Sequence, residues 1–171
     1  DIAHAGMDQR KIHMLVREIF PKMKWKVPVS VHHKLLPGLS KPVDSDNSQV
    51  LGKMSKSDPN SGIFIHNTDN EIKKKISKSW CEEKNIQSNP LLEIAKTVIF
   101  HEFNEMNIER PEKYGGNVSY SKYNELEIDF AENKLHPGDL KQAVGEYLVK
   151  VISPIREKLN LSEEISEAIK K

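Results

Sequence analysis

Two lysines and two hydroxyls fall within five residues at Lys53-Met54-Ser55-Lys56-Ser57. On a loop, such a set can wrap a polyphosphate. The ammonium groups place point charge where negative charge develops, and the serine hydroxyls and loop amides add hydrogen bonds. Gly52 and the polar flanks would let the loop close and reopen. The plainer alternative is a solvated Lys/Ser loop. A second set, Gly6-Met7-Asp8-Gln9-Arg10-Lys11, opens a helical pattern. Gly6 lets a ligand approach the backbone, Asp8 offers two acceptors to vicinal hydroxyls, and Gln9 offers one acceptor and two donors. Asp8 as a helix-capping acid, with Gln9, Arg10 and Lys11 on a solvated face, is the competing account. The third set is split between Arg110-Pro111-Glu112-Lys113-Tyr114-Gly115-Gly116 and Leu135-His136-Pro137-Gly138-Asp139-Leu140-Lys141. An aromatic on a Gly-rich turn is a stacking platform for an unstacked base. Asp139 near a helix start can accept hydrogen bonds from a guanine's Watson–Crick edge, with His136 beside the ring. The alternatives are a core position for Tyr114 and a helix-dipole role for Asp139.

Other reactive residue types suggest less. His32 and His33 are adjacent in a strand-like run and would point to opposite faces, while His4, His66 and His101 stand alone. Zinc is not expected, for want of a Cys/His cluster. Cys81 has no neighbouring base pattern and reads as a small buried or half-exposed thiol. The run Lys73 to Lys78 reads as a solvated face.

The elements that must position these residues follow from periodicity. Ile12, Leu15, Val16 and Ile19 predict a helix from Gly6 to Phe20, and Pro21 and Pro28 bracket a linker holding Trp25. Val27, Val29 and Val31 alternate as a short strand. Residues 37–62, rich in Gly, Pro, Ser, Asp and Asn, predict a long surface loop. Residues 63–65 resemble a buried strand or turn. Ile72, Ile76 and Trp80 predict a helix after Thr68-Asp69. Asn89 with Pro90 caps another, carrying Leu92, Ile94, Ala95, Val98 and Ile99. Ser121 starts a helix with Leu126, Ile128 and Phe130. His136-Pro137 opens the longest, with Leu140, Val144, Leu148, Val151 and Ile155 on one stripe and Pro154 bending its end. A short terminal helix begins at Ser162. The change from mixed α/β to all-helical falls near residues 66–70, which predicts two domains, 1–66 and 67–171.

Composition bounds the class. The 171 residues suit one domain or one and a half, with 37% hydrophobic and 30% charged residues. The net charge of +1, from 26 basic and 25 acidic residues, is no nucleic-acid signature. RNA binding here would need local basic clusters and shape. No stretch approaches the roughly 18 apolar residues of a membrane span. The single Cys81 favours a reducing compartment. The start, Asp1-Ile2-Ala3-His4, reads as a cut through something longer.

Together these motifs resemble the tyrosyl-tRNA synthetases of the archaeal and eukaryotic type. The pentapeptide matches the KMSKS signature of class I aminoacyl-tRNA synthetases. Residues 6–13 are similar to the family's GxDQRKIH segment, and Leu36-Pro37-Gly38-Leu39 also resembles it. Residues 110–116 and 135–141 resemble its RPEK(aromatic)GG turn and HPxDLK helix start. The resemblance implies the C-terminal part of a Rossmann-type catalytic domain with the KMSKS loop, followed by an all-α helical anticodon-binding domain. It implies tyrosine activation by ATP, with Mg2+ accompanying the nucleotide, and transfer to tRNA-Tyr in the cytoplasm. Lys53, Ser55, Lys56 and Ser57 would be catalytic, and Gly6, Asp8, Lys53, Met54 and Lys56 would bind ATP. Gln9 would bind L-tyrosine. Arg10 and Lys11 would meet the tRNA acceptor end, and Tyr114, His136 and Asp139 the first anticodon base. The family's HIGH-like motif, most of its tyrosine pocket and its dimer-forming insertion are expected upstream, so the chain alone is expected to be inactive and the complete enzyme a homodimer. A tryptophanyl-tRNA synthetase, a non-catalytic tRNA-binding module and half of a split synthetase are the alternatives.

Overall fold

The computed structural model describes residues 1–45, 48–50, 52, 54 and 58–159, with the backbone alone for 43–45 and 48–50. Two compact units form, Asp1–Leu36 and Pro37–Lys171.

In the first unit, β1 (Ile2–Gly6) pairs in parallel with β2 (Val29–His33), Ile2 opposite Val29 and Gly6 opposite His33. Between them a 3-10 turn, Met7–Gln9, leads into α1, Arg10–Lys22. This is one βαβ crossover. The alternating valines foretold β2. Strand β1 was not expected, because Ile2-Ala3-His4-Ala5 carries almost no β-branched signal and becomes a strand only by pairing. The helix also passes its expected end at Phe20 and holds Pro21 in its last turn. It stops where Lys24 turns left-handed at φ 60°. Trp25 folds back, its N–H donating to the Phe20 carbonyl at 2.8 Å and its ring meeting Phe20 edge-on. No residue of α1 is buried. Ile12 and Leu15 on the helix and Val29 on β2 are 57%, 53% and 64% exposed.

The second unit has a closed core. Ile72 and Ile76 of α2 (Asp69–Lys78) meet Leu140, Val144 and Leu148 of α6 (Pro137–Leu159), and all are buried. Leu91, Leu92 and Ile94 enter from α3 (Pro90–Ile94), capped by Asn89, whose side chain accepts from Leu91 N and Leu92 N. A π-helical stretch, Ala95–Ile99, continues α3 into α4, Phe100–Glu102. Leu126 and Phe130 enter from α5, Tyr123–Ala131. Thr68 and Glu71 form a reciprocal capping box on α2. Asp69 in that first turn accepts from Arg156 at 2.6 Å and Ser153 at 2.7 Å, tying α2 to the far end of α6.

Several expectations need correction here. Residues 67–171 are not all helical: β5 (Met106–Ile108) and β6 (Val118–Tyr120) pair antiparallel, burying Met106, Ile108 and Tyr120. Three-residue strands are too short to register as alternation. Residues 37–62 hold a second antiparallel pair, β3 (Val43–Ser45) with β4 (Ser48–Val50). Helix α2 ends before Trp80, because Ser79 is extended and its hydroxyl bonds the Ile76 carbonyl. Residues 63–65 make no strand, and Phe64 and Asn67 close a turn on each other. Ile128 and Ile155, placed on apolar stripes, are 55% and 43% exposed. The terminal helix expected at Ser162 lies outside the described residues.

Compactness and composition divide the chain differently. Composition changes near residues 66–70, whereas residues 37–66 pack within the second unit. Leu39 is buried and its carbonyl accepts from Trp80 N at 2.8 Å; Gly62 O accepts from Lys75 Nζ at 3.0 Å.

Candidate functional site

The most complete constellation lies in the second unit. Tyr114, His136 and Asp139, separated in sequence, line one cavity of about 470 Å³ with Arg110, Asn133 and Lys134. Tyr114 ends a 3-10 turn, Glu112–Tyr114, and the chain reverses through Gly115 and Gly116 at φ 98° and 70°. Two consecutive left-handed residues favour the Gly-Gly pair at this turn. Arg110 locks the turn from beneath. Its Nε donates to Gly116 O at 2.9 Å and its guanidinium reaches Lys134 O at 2.7 Å, while its N–H donates to Asn117 Oδ1 at 3.0 Å. Tyr114 therefore stands on a braced turn, and the residue is 61% exposed. That exposure excludes the core-aromatic alternative. Lys113 Nζ sits 4.7 Å from the ring centroid and occupies one face.

The other wall comes from the turn into α6. After α5, Asn133 adopts φ 64°, and Lys134 N and Leu135 N both bond the Asp129 carbonyl, reversing the chain toward His136. Gly138 N donates to His136 Nδ1 at 3.0 Å, so the neutral ring carries its proton on Nε2. That nitrogen lies 3.6 Å from Glu83 Oε1. A Cβ on residue 138 would sit 3.0 Å from His136 Nδ1, which ties Gly138 to the ring's placement. Asp139 follows in the first turn of α6, where the helix dipole favours its carboxylate. The cavity thus joins a π-face, an imidazole, a carboxylate and two cations. It can stack a planar group and accept hydrogen bonds from its edge.

Sequence reasoning quoted Arg110 only as part of a motif and missed Glu83, Asn133 and Lys134. Asn133 had a readable signal, an Asn just past an apolar helix. Glu83 had none, since its partner is more than fifty residues away.

In the first unit, Gly6, Asp8 and Gln9 sit at the strand-to-helix switch. A Cβ on Gly6 would meet Leu35 Cδ2 at 2.5 Å and Asp8 Oδ1 at 2.7 Å, so a larger residue there would have to displace the ends of both side chains. Asp8 lies inside the 3-10 turn, Met7–Gln9, that leads into α1. Gln9 Nε2 donates to Asp8 Oδ2 at 3.3 Å. Arg10 and Lys11 are exposed on the first turn of α1. Four histidines also pair here, correcting the expectation that His4 stands alone. His13 Nδ1 lies 2.9 Å from His32 Nε2, and His33 Nδ1 lies 3.0 Å from His4 Nε2. Partial burial, with His13 and Arg10 nearby, holds the His32 pKa below its ordinary value.

Of the five-residue loop motif, Lys53, Ser55, Lys56 and Ser57 lie outside the described residues. Met54 is half-buried against Gly62, where a Cβ would meet Met54 Cβ at 2.8 Å. Among the described residues no three His, Cys, Asp or Glu side chains form a metal cluster. Cys81 is half-buried beside Asn89, and burial pushes its thiol pKa up.

A family model for class I tRNA synthetases (W and Y) matches residues 1–153. The chain belongs to that family. The curated relatives it matches include several tyrosine–tRNA ligases. The tyrosine–tRNA ligase of Thermococcus sibiricus is 45% identical, the match covering 99% of this chain and 50% of the relative. The crystal structure of tyrosyl-tRNA synthetase complexed with L-tyrosine from Pyrococcus horikoshii matches with a TM-score of 0.86 at 40% identity, over 99% of this chain and 50% of that one. Tryptophanyl-tRNA synthetase from Giardia lamblia, at 21% identity and a TM-score of 0.60, shares the fold alone. This synthetase chain therefore has the α/β arrangement of its class, helices with small sheets, and spans about half the length of the curated relatives it matches.

Proposed function

We propose that this chain supplies the C-terminal part of a tyrosine–tRNA ligase of the archaeal and eukaryotic type, with residues 1–66 closing a Rossmann-type catalytic domain and 67–171 reading the anticodon. The observation that carries the reading is the single cavity shared by Tyr114, His136 and Asp139, in a chain whose relatives are tyrosine–tRNA ligases. Tyr114 stacks on the first anticodon base, and Asp139 accepts from that base's edge with His136 beside it. The first unit argues for a missing layer. Parallel sheets are normally covered on both faces, yet β1, β2 and α1 expose their apolar residues. The remaining half of the catalytic domain, with the HIGH-like motif, covers them in the parent protein.

There Gly6 and Asp8 hold the ATP ribose and Gln9 the tyrosine, while Lys53 and Lys56, with Met54, Ser55 and Ser57, close on the pyrophosphate. Mg2+ would accompany the ATP phosphates, and no residue of this chain is assigned to it. The protein acts by positioning and by stabilising the leaving pyrophosphate's charge, with no covalent enzyme intermediate. Arg10 and Lys11 meet the acceptor end of tRNA-Tyr. The complete enzyme is a cytoplasmic homodimer in this reading. Among the described residues no helix is long and apolar enough to cross a membrane. Charging of tRNA by the parent protein, with tyrosine and tryptophan compared, tests this. Tyrosine is expected to be transferred. Transfer of tryptophan instead, or of neither, would overturn the reading.

A further inference from the structure

A second cavity lies away from the anticodon pocket, and nothing above assigns it a role. It is an open trough of about 720 Å³ between α2 and the segment around Leu39. Four lysines line it, Lys41 from one wall and Lys74, Lys75 and Lys78 from α2, against one carboxylate, Glu71. The Glu71 carboxylate is already engaged, accepting from Thr68 N at 2.7 Å and Thr68 Oγ1 at 3.1 Å. Lys75 is engaged too, bonding Gly62 O and Asn67 Oδ1 at 3.0 Å each. It is the one lysine of this run that is half-buried, and burial holds its pKa below the ordinary value. Lys41, Lys74 and Lys78 are exposed. Lys74 and Lys78 are one helical turn apart, about 5–6 Å between Cβ atoms.

We propose that this trough is a track for the phosphodiester backbone of the tRNA, gripped by Lys41, Lys74 and Lys78. The occupant rests on the tRNA-ligase reading; the groove itself does not. Two observations favour a polymer backbone over a compact nucleotide. Lysines, unlike arginines, act as point charges on phosphates and carry little base readout. They are spaced along a helix face and across a facing wall, so each can meet a separate phosphate. Trp80, held by its N–H on Leu39 O at 2.8 Å, adds an indole face to the lining.

The trough's position gives it a use. Gly62, which receives Lys75, packs against Met54 of the five-residue loop motif. At the other side of α2, Lys141 Nζ of α6 donates to Ser77 O at 3.2 Å, just after Asp139. Helix α2 thus bonds both to Gly62, which packs on Met54, and to the helix that carries the anticodon-reading carboxylate. An RNA backbone bound along it is guided between the two.

The test uses the complete parent protein with Lys74→Gln/Lys78→Gln and Lys41→Gln, read by tRNA-Tyr affinity across a salt series beside thermal melts. The double variant is expected to bind tRNA about tenfold more weakly at low salt. Its slope of log affinity against log salt should be shallower by roughly 1.4–1.8 for two lost phosphate contacts. The loss should be the same for tRNA altered at the first anticodon base. An unchanged slope in variants that melt normally would overturn the track. So would a raised KM for ATP in tyrosine-dependent pyrophosphate exchange, a reaction that needs no tRNA and would give the trough to the nucleotide. Wild-type parent protein that binds no tRNA at all would instead overturn the functional reading.

Discussion

The two units of this chain differ in one physical respect that governs everything else. Pro37–Lys171 buries Phe130, Leu126, Ile72, Ile76 and Leu140 in one core fed by five helices and a strand pair. Asp1–Leu36 buries no large apolar side chain, and its helix and both strands leave Ile12, Leu15 and Val29 more than half exposed. A unit of 36 residues is below the size that usually folds alone. The lesson is that the two candidate sites stand on different footings. The Tyr114–His136–Asp139 cavity is built on a unit with a closed core, whereas Gly6, Asp8 and Gln9 sit in a unit that buries no large apolar side chain.

Mutations should divide along the same line. Phe130→Ala opens a cavity in a closed core and is expected to cost about 3–5 kcal/mol. In the same 171-residue chain, Ile12→Ala should change stability by no more than about 0.5 kcal/mol, as at an exposed site. In the complete protein, where the helix face is covered, it should cost about 2–5 kcal/mol. Denaturant melts of both forms decide this, and equal costs for Ile12→Ala in the two would erase the contrast. Next in size is Lys53→Ala or Lys56→Ala in the complete enzyme. Losing a phosphate contact made mainly in the transition state is worth about 3–4 kcal/mol, or roughly 10²–10³ in the rate of adenylate formation. Normal single-turnover activation in both mutants would reduce the loop to a solvated Lys/Ser stretch.

Effects in the second unit should be smaller and more local. Tyr114→Ala is expected to weaken tRNA binding by about 1–3 kcal/mol whichever base is present, and Tyr114→Trp to preserve it. Because Tyr114 is 61% exposed, neither change should lower the melting temperature; early melting of Tyr114→Ala would return the residue to a packing role. The smallest effect concerns Asp69, whose pKa Arg156 holds below the carboxylate range by hydrogen bonding, with Ser153 adding to it. A depressed carboxylate stabilises the fold above its unfolded pKa and loses that stability as pH falls through the lowered value. Asp69→Asn should therefore melt earlier than wild type at neutral pH, with the gap closing below the ordinary carboxylate range. Its half-exposed position makes the gap salt-sensitive. A gap that ignores pH would assign the loss to packing.

How much of this was legible beforehand follows the range of the forces involved. Helices α1, α2 and α6 were readable because Ile12/Leu15/Val16/Ile19, Ile72/Ile76 and Leu140/Val144/Leu148 repeat at helical spacing. Asn89-Pro90 was readable because a cap is chemistry between neighbours. Strand β1, the β5–β6 pair and the Glu83–His136 contact were not, since each exists only through a partner distant in sequence. The same holds for His4 with His33 and His13 with His32. Their pairing needs β1 and β2 side by side, and β1 had no alternation to betray it. The pocket residues Tyr114, His136 and Asp139 were named from their motifs. What the motifs could not supply was Arg110 bracing the turn beneath them, or Gly138 orienting the imidazole.

The central claim is that the Tyr114–His136–Asp139 pocket reads the first anticodon base of tRNA-Tyr. It is tested most directly by aminoacylation kinetics of the complete enzyme carrying Asp139→Ala. The substrates are wild-type tRNA-Tyr and tRNAs altered only at that base. The account predicts that the ratio of kcat/KM between guanine and the other bases narrows by about tenfold, the discrimination of a lost base-edge contact, while the variant melts like wild type. A ratio equal to that of the wild-type enzyme, in a normally folded variant, would contradict it.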